Sequence, residues 1–180
     1  MKITIGGVPG AGKSTVAKKV AEKLGYDFYS IGAIRRKLAE EKGLTIHEFN
    51  SLPGDTDTMV DECQRKLGKE GDNFVNEGRL AFHFVPDSVK IYFMCHEKVA
   101  AQRILNDNRS SEGTYSSLDD AVAGVRKRMQ SDRERYAKHY GIDCYEPRHF
   151  HHVIDTTNLT IEQAVEEVLK IANSYSKSQR

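Results

Sequence analysis

The feature that most constrains the fold of this chain is a glycine-rich octapeptide near its start, GVPGAGKS at residues 7–14. It matches the pattern G-x-x-x-x-G-K-[ST] completely, in which backbone N–H groups and one lysine surround nucleotide phosphates. A β-branched, apolar run precedes it at residues 3–8, and helical periodicity begins at Lys13. Because the strand and helix that such a loop requires are both predicted, a glycine turn without a ligand is disfavoured.

The rest of the chain alternates short strands with helices. Further strands are predicted at residues 26–31, 73–76, 89–95 and 152–155. Capping-box matches at Thr45, Ser117 and Thr160 mark helix starts, and Gly25 marks a helix end. Such alternation predicts a parallel sheet with helices on both faces and a ligand site beyond the carboxyl ends of its strands. Gly7, Glu77 and Asp155 lie at or just past strand ends, so we expect them to converge there.

Composition excludes several classes of protein. A chain of 180 residues with a net charge of +1 fits one domain and has no global basic field for nucleic acid. No apolar run approaches the roughly 20 residues needed to span a bilayer. Because Met1 and Lys2 run directly into the first predicted strand, we expect no signal peptide. The three cysteines contain no C-x-x-C pair, and their odd number favours a reducing compartment.

Charged residues after the third strand are candidates for a metal and an anion. Glu77 could hold the water shell of Mg²⁺ together with the Ser14 hydroxyl, and Arg79 could grip an anionic acceptor with its bidentate fork. A salt-bridged surface turn explains the tripeptide Glu-Gly-Arg equally well. Arg35 and Arg36 lie near the start of a predicted helix, where positive charge is unfavourable because it opposes the helix dipole. Either a bound anion or simple solvent exposure would explain two cations at this place.

More arginines crowd the predicted long helix. Arg128 and Arg135 are seven residues apart on one face and could close over a transferring phosphoryl group. They could equally belong to a solvated face with the pairs Arg128–Asp132 and Glu134–Lys138. Arg103 and Arg109, which flank the start of a polar loop at residues 106–117, carry the same ambiguity. A metal site is disfavoured at the three histidines His149, His151 and His152, because no Cys or carboxylate at the usual spacing completes a set of ligands.

The order of these motifs resembles that of nucleoside monophosphate kinases, most closely the short cytidylate kinases of archaea. The resemblance runs from Lys2 to about Ala172 and rests on GVPGAGKST, SIGAIRRKLA, NEGRLA, RYAKHYGID and VIDTTNLTIEQ. It implies a P-loop NTPase fold with a five-stranded parallel sheet and small insertions. The core would comprise residues 1–30, 71–105 and 141–175, with a monophosphate-binding region at about 31–70 and a lid at about 106–130.

The resemblance also implies a role for each candidate residue. Arg36 and Arg79 would bind the acceptor monophosphate, and Asp61 would contact the acceptor base. Arg103 would lie against the ATP base, while Lys13 and the lid arginines act on the transferred phosphoryl group. Those lid arginines are Arg109, Arg128 and Arg135. Mg²⁺ would be held by Ser14 and Glu77. The remaining ATP-binding residues would be those of the loop: Gly7, Val8, Pro9, Gly10, Ala11, Gly12, Lys13, Ser14 and Thr15.

The chain departs from the family pattern in three places. Arg35 stands where the family usually has an aromatic residue, residues 150–153 read FHHV instead of YDLV, and the polar loop is longer. These departures concern substrate preference and the positions of lid residues, and they leave the expected fold unchanged.

The expected reaction is phosphoryl transfer from ATP to CMP or dCMP by a cytoplasmic monomer that binds neither nucleic acid nor membrane. A phosphate acceptor is already ionised and needs no general base, in agreement with the lack of an obvious one. Kinases of the adenylate or UMP type remain open as alternatives. So do dephospho-coenzyme A or shikimate-type kinases, with Asp27 as a base for a hydroxyl acceptor. A last alternative is an adenylate-kinase-like ATPase that assists assembly.

Overall fold

The computed structural model describes residues 1–44, 48–49, 56–107 and 115–178. Five parallel strands form one sheet in the order β2-β3-β1-β4-β5. The strands are β1 (Lys2–Gly7), β2 (Asp27–Ser30), β3 (Phe74–Glu77), β4 (Val89–Met94) and β5 (His152–Asp155). The predicted fold is therefore confirmed, and each predicted strand boundary lies within one residue of the observed one.

Besides the helical residues Glu48 and Phe49, seven helices occur within the described ranges. They are α1 (Lys13–Leu24), α2 (Ile31–Glu41), α3 (Thr56–Glu70), α4 (Ala81–Phe84), α5 (Glu97–Asn106), α6 (Leu118–Tyr140) and α7 (Ile161–Ser178), with a 3₁₀ turn at Pro147–His149. The sequence did not predict α4, which is a single turn. None of the helices in the described part of the chain is long and apolar enough to cross a membrane.

Two of the three capping-box matches begin helices as predicted. The Ser117 hydroxyl accepts from the Asp120 backbone N–H (3.1 Å) at the start of α6. Thr160 and Gln163 exchange two bonds of 2.8 and 3.2 Å at the start of α7, each side chain accepting from the other residue's N–H. Such bonds satisfy N–H groups that the first helical turn leaves without a partner. The third match, at Thr45, lies outside the described residues.

The two faces of the sheet bury different side chains because successive residues of a strand point to opposite faces. Ile91 and Phe93 of β4 belong to an aliphatic core with α1 and α7, which includes Val16, Val20 and Val165. Tyr92, between them, belongs to a second, largely aromatic cluster. Its other buried members are Leu80, Phe82, Phe84, Tyr136, Cys144, Tyr145 and Phe150. The helix that follows the glycine-rich loop is therefore fixed to the sheet by its apolar stripe.

Gly7 joins β1 to the loop in a conformation that other residues rarely adopt, with φ at +130°. A Cβ atom there would lie 2.1 Å from the Phe93 carbonyl oxygen, which accepts from the Val8 N–H. We therefore expect Gly7→Ala to lower the free energy of unfolding by about 3 kcal/mol or more, from backbone strain and overlap together. Urea denaturation measures this change.

Gly25→Ala provides the matched comparison. Gly25 also has a positive φ, of +67°, but a Cβ atom there would meet nothing within 4 Å. Its substitution should cost only about 1 kcal/mol, the cost of the left-handed conformation alone. Equal losses in the two variants would contradict the steric argument for Gly7.

Candidate active site

A cavity of about 510 Å³ opens at the carboxyl ends of the strands. The elements that contribute to its wall are the glycine-rich loop, the start of α2, the turn after β3, α5, α6 and the turn between β5 and α7. The charged side chains on this wall are Lys13, Arg35, Arg36, Glu77, Arg79, Arg103, Asp107 and Arg128. Among the described residues, the wall therefore carries six cationic side chains and two carboxylates, a balance that suits an anionic ligand.

The glycine-rich loop is arranged to receive phosphate. Gly12 precedes α1 without a side chain to cap it, and the first turn of α1 contains no acidic residue. The positive end of this helix is therefore not offset by the helix's own side chains, and it faces a cavity whose wall includes residues 9–16. Lys13 Nζ donates to the Val8 carbonyl at 2.7 Å, which places its ammonium group against the loop.

Glu77, at the end of β3, accepts hydrogen bonds from two hydroxyls. Ser14 Oγ donates to Glu77 Oε2 at 3.1 Å, and Ser30 Oγ donates to the same oxygen at 2.8 Å. The sequence did not predict Ser30 as a site residue. The Ser30 hydroxyl also caps α2, where it accepts from the Ala33 N–H. One buried carboxylate and one hydroxyl are hard oxygen ligands, and Mg²⁺ commonly takes such a small protein set together with phosphate and water. Ser14 and Glu77 therefore fit the predicted metal.

Arg79, two residues beyond Glu77, is held by a network of partly buried hydrogen bonds. Its Nε donates to Asp132 Oδ2 and to the Tyr145 hydroxyl (3.2 Å), and that hydroxyl donates to Asp132 at 2.6 Å. Burial would lower the pKa of Arg79, but Tyr145 and Asp132 raise it well above its usual value. Burial also raises the pKa of Tyr145, so its hydroxyl keeps its proton at neutral pH. The network therefore consists of a cation, an anion and a neutral phenol.

Arg35 and Arg36 lie beside each other on the cavity wall, in the first turns of α2. Solvent exposure does not explain Arg35, because only 8% of this residue is exposed. The other explanation that the sequence offered, an anion bound near the start of α2, stays a prediction.

Of the predicted site arginines in α5 and α6, two line the cavity and one does not. Arg128 and Arg103 line the cavity, and Arg103 NH2 donates to the Thr156 carbonyl at 2.8 Å. Arg135 is not part of the cavity wall; its guanidinium lies 5.6 Å from the centre of the Tyr136 ring. Asp132, which the sequence paired with Arg128, binds Arg79 instead. Arg109 lies outside the described residues.

Three carboxylates are not brought to the cavity. Asp61 accepts from the Tyr140 hydroxyl at 2.6 Å and is absent from the described wall. Asp155 is turned to its own loop, where it accepts from the Thr157 N–H at 2.9 Å, and Thr156 lines the cavity in its place. Asp27 is exposed and starts β2, so about 10 Å of strand separates it from Ser30 at the cavity edge.

The histidines contact neighbouring side chains and backbone. His149 stacks on Phe82 at 5.3 Å, and His151 Nδ1 accepts from the Lys90 N–H at 3.3 Å. His152 lies 3.3 Å from the Tyr175 hydroxyl. Within the described ranges, no group of three or more His, Cys, Asp or Glu side chains could hold a metal ion.

Comparison with known proteins places the chain in a family. Residues 6–138 match the model of a family described as AAA domain. A cytidylate kinase from Methanobrevibacter smithii is 34% identical over 94% of this chain and 96% of its own length. An S-adenosylmethionine-dependent nucleotide dehydratase from Lacinutrix mariniflava is also 34% identical, over 98% of this chain, but the chain spans only 36% of that protein.

Solved structures agree on the fold. A shikimate kinase from Acinetobacter baumannii superimposes with a TM-score of 0.64 over 97% of this chain and 93% of its own, at 17% sequence identity. That likeness concerns the fold alone, whereas the similarity to the archaeal kinases extends along nearly the whole of both sequences. The chain therefore belongs to the family of P-loop kinases that includes the archaeal cytidylate kinases.

Proposed function

We propose that this protein transfers the γ-phosphoryl group of ATP to CMP or dCMP. The observation that carries the proposal is that the phosphate loop and the arginine pair Arg36 and Arg79 line one cavity of about 510 Å³. One end then holds the donor phosphates and the other holds the acceptor phosphate. The cytidylate kinases among its relatives, at 30–36% identity, support CMP as the acceptor.

The donor half consists of the loop, Lys13 and an apolar wall. Ile104, Leu159 and Ile161 line the cavity on the side of α5 and α7. Arg103, fixed by the carbonyl groups of Thr156 and Thr157, lies with them and offers a planar cation against which a purine base can stack. Ser14 and Glu77 would hold Mg²⁺, which would offset the negative charge of the phosphate groups.

The acceptor half needs cations rather than a base. CMP presents an ionised phosphate oxygen as the nucleophile, so no side chain has to remove a proton from it. Arg36 and Arg79 would bind and orient that phosphate, and Arg128 would stabilise charge on the group in transfer. The roles assigned to Asp61, Arg109 and Arg135 stay predictions from the resemblance.

A hydroxyl acceptor fits this site less well. Such a substrate needs a carboxylate base to take its proton, and Asp27, the base that the sequence suggested, lies at the amino end of β2, away from the cavity. The carboxylates of the described wall are Glu77, which fits the metal, and Asp107. The residue that β2 contributes to the cavity is Ser30. The structural likeness to shikimate kinase is therefore not accompanied by the base that the sequence suggested.

ADP release with different acceptors tests the proposal. We expect CMP and dCMP to stimulate ADP release at least about a hundredfold over the rate without acceptor, since water is a far less well-positioned nucleophile. UMP, AMP and shikimate are the comparison acceptors, and Asp27→Asn should leave the CMP-dependent rate unchanged. A CMP-dependent rate no higher than the rate without acceptor would contradict the proposal and favour the assembly ATPase.

A further inference from the structure

Arg79, Asp132 and Tyr145 form a closed triangle of hydrogen bonds behind the acceptor end of the cavity. Three bonds join them: Arg79 Nε to Asp132 Oδ2, Arg79 Nε to the Tyr145 hydroxyl at 3.2 Å, and that hydroxyl to Asp132 at 2.6 Å. Arg79 alone of the three belongs to the cavity wall. Asp132 and Tyr145 therefore support the arginine without lining the described part of the substrate cavity.

The triangle holds Arg79 through one particular nitrogen. Both of the bonds described for its side chain are made by Nε, the guanidinium nitrogen nearest the backbone. Within the described part of the chain, neither terminal nitrogen of Arg79 is used by the triangle. A guanidinium held in this way keeps its two terminal N–H groups for an end-on fork, a geometry that matches two oxygens of one phosphate.

The surroundings make this anchoring necessary. Tyr136, Cys144 and Tyr145 belong to a buried cluster next to Arg79, and a guanidinium in such a place needs a counter-charge. Asp132 supplies it. Because the Tyr145 hydroxyl keeps its proton, it remains a donor to Asp132 and fixes the orientation of that carboxylate.

Resting on the function proposed above, we propose that Asp132 and Tyr145 are positioning residues that direct the terminal nitrogens of Arg79 towards the acceptor phosphate. Asp132 follows Arg128 by one turn of α6. The same helix therefore carries Arg128, which lines the cavity, and Asp132, which binds Arg79. Helix α6 thereby fixes the distance between Arg79, at the acceptor phosphate, and Arg128, at the phosphoryl group in transfer.

The Asp132→Asn variant tests this role by removing the charge while keeping the shape of the side chain. We expect its KM for CMP, measured at saturating ATP, to rise about tenfold. The KM for ATP should stay within about twofold of wild type, because none of the hydrogen bonds described for the triangle involves the donor loop. The affinity for CMP measured by calorimetry should fall by the same factor as the KM rises.

Three further variants make the test independent of folding. Tyr145→Phe removes one hydroxyl and leaves the Arg79–Asp132 pair, so its KM for CMP should rise about threefold. Glu134→Gln changes the same charge on the same helix, where the exposed Glu134 accepts only from Gln130 in the described contacts (2.7 Å), and both of its KM values should equal those of wild type. Partial recovery of the CMP affinity in Asp132→Glu would support the anchoring role.

The results distinguish failure of the positioning role of Asp132 from failure of the proposed function. A folded Asp132→Asn with unchanged KM for CMP, or one that only melts at a lower temperature, would overturn the positioning role. A lower KM would overturn it too, since Asp132 would then compete with phosphate for Arg79. If wild type shows no CMP-dependent turnover, the proposed function fails and the inference fails with it; if wild type turns over CMP, only the inference is at stake.

Discussion

The Lys13→Ala variant is expected to lose about a thousandfold in kcat with ATP and CMP both saturating. Lys13 begins α1, and its ammonium group lies against the phosphate loop, 2.7 Å from the Val8 carbonyl. Removal of a cation placed where charge develops during transfer costs about 10²- to 10³-fold in rate. No other lysine lines the described cavity wall. The measurement is steady-state ADP release.

Lys18→Ala is the matched comparison for this variant. Lys18 lies in the same helix, is exposed and does not line the cavity. Its kcat should equal that of wild type, and both variants should unfold at urea concentrations near that of wild type. A Lys13→Ala enzyme that kept more than about a tenth of the wild-type kcat would contradict the role of this residue.

The parts of the fold that the sequence predicted well are those that neighbouring residues determine. Strand positions follow from short apolar runs, and the start of α7 follows from Thr160 and Gln163, whose two bonds close within one turn. The phosphate loop could be located because its residues are contiguous; of the nine predicted, those at 9–15 line the described cavity, whereas Gly7 and Val8 do not. In these cases the interacting groups are close in the sequence, so spacing is enough to identify them.

The parts that the sequence did not predict depend on distant residues. Asp132 lies four positions after Arg128, so helical spacing favoured that pair, but its carboxylate binds Arg79, which is 53 residues away. Asp155 and Thr156 are adjacent at the end of β5, and composition does not indicate which of them turns to the cavity. Ser30 and Glu77 meet because β2 and β3 pair in register, with Ser30 opposite Glu77. The sheet order, which local patterns do not determine, brings Ser30 and Glu77 together.

The Arg79→Ala variant is expected to raise the KM for CMP by about 30- to 100-fold, and Arg36→Ala to raise it by a similar factor. Each loses hydrogen bonds between a guanidinium and a phosphate, and charged bonds of this kind are worth about 2 to 3 kcal/mol. The KM for ATP should rise less than about threefold in both. Initial rates at varied CMP with saturating ATP, and the reverse, separate the two constants.

Arg148→Ala controls for loss of a positive charge, because Arg148 is exposed and pairs only loosely with Glu146 at 4.0 Å. Equal increases of both KM values in Arg79→Ala would contradict the assignment of this residue to the acceptor half.

Combining Arg79→Ala with Asp132→Asn adds a stricter test. If Asp132 acts on CMP only through Arg79, the double variant should bind CMP no more weakly than Arg79→Ala alone, because residues that act as one unit have non-additive effects.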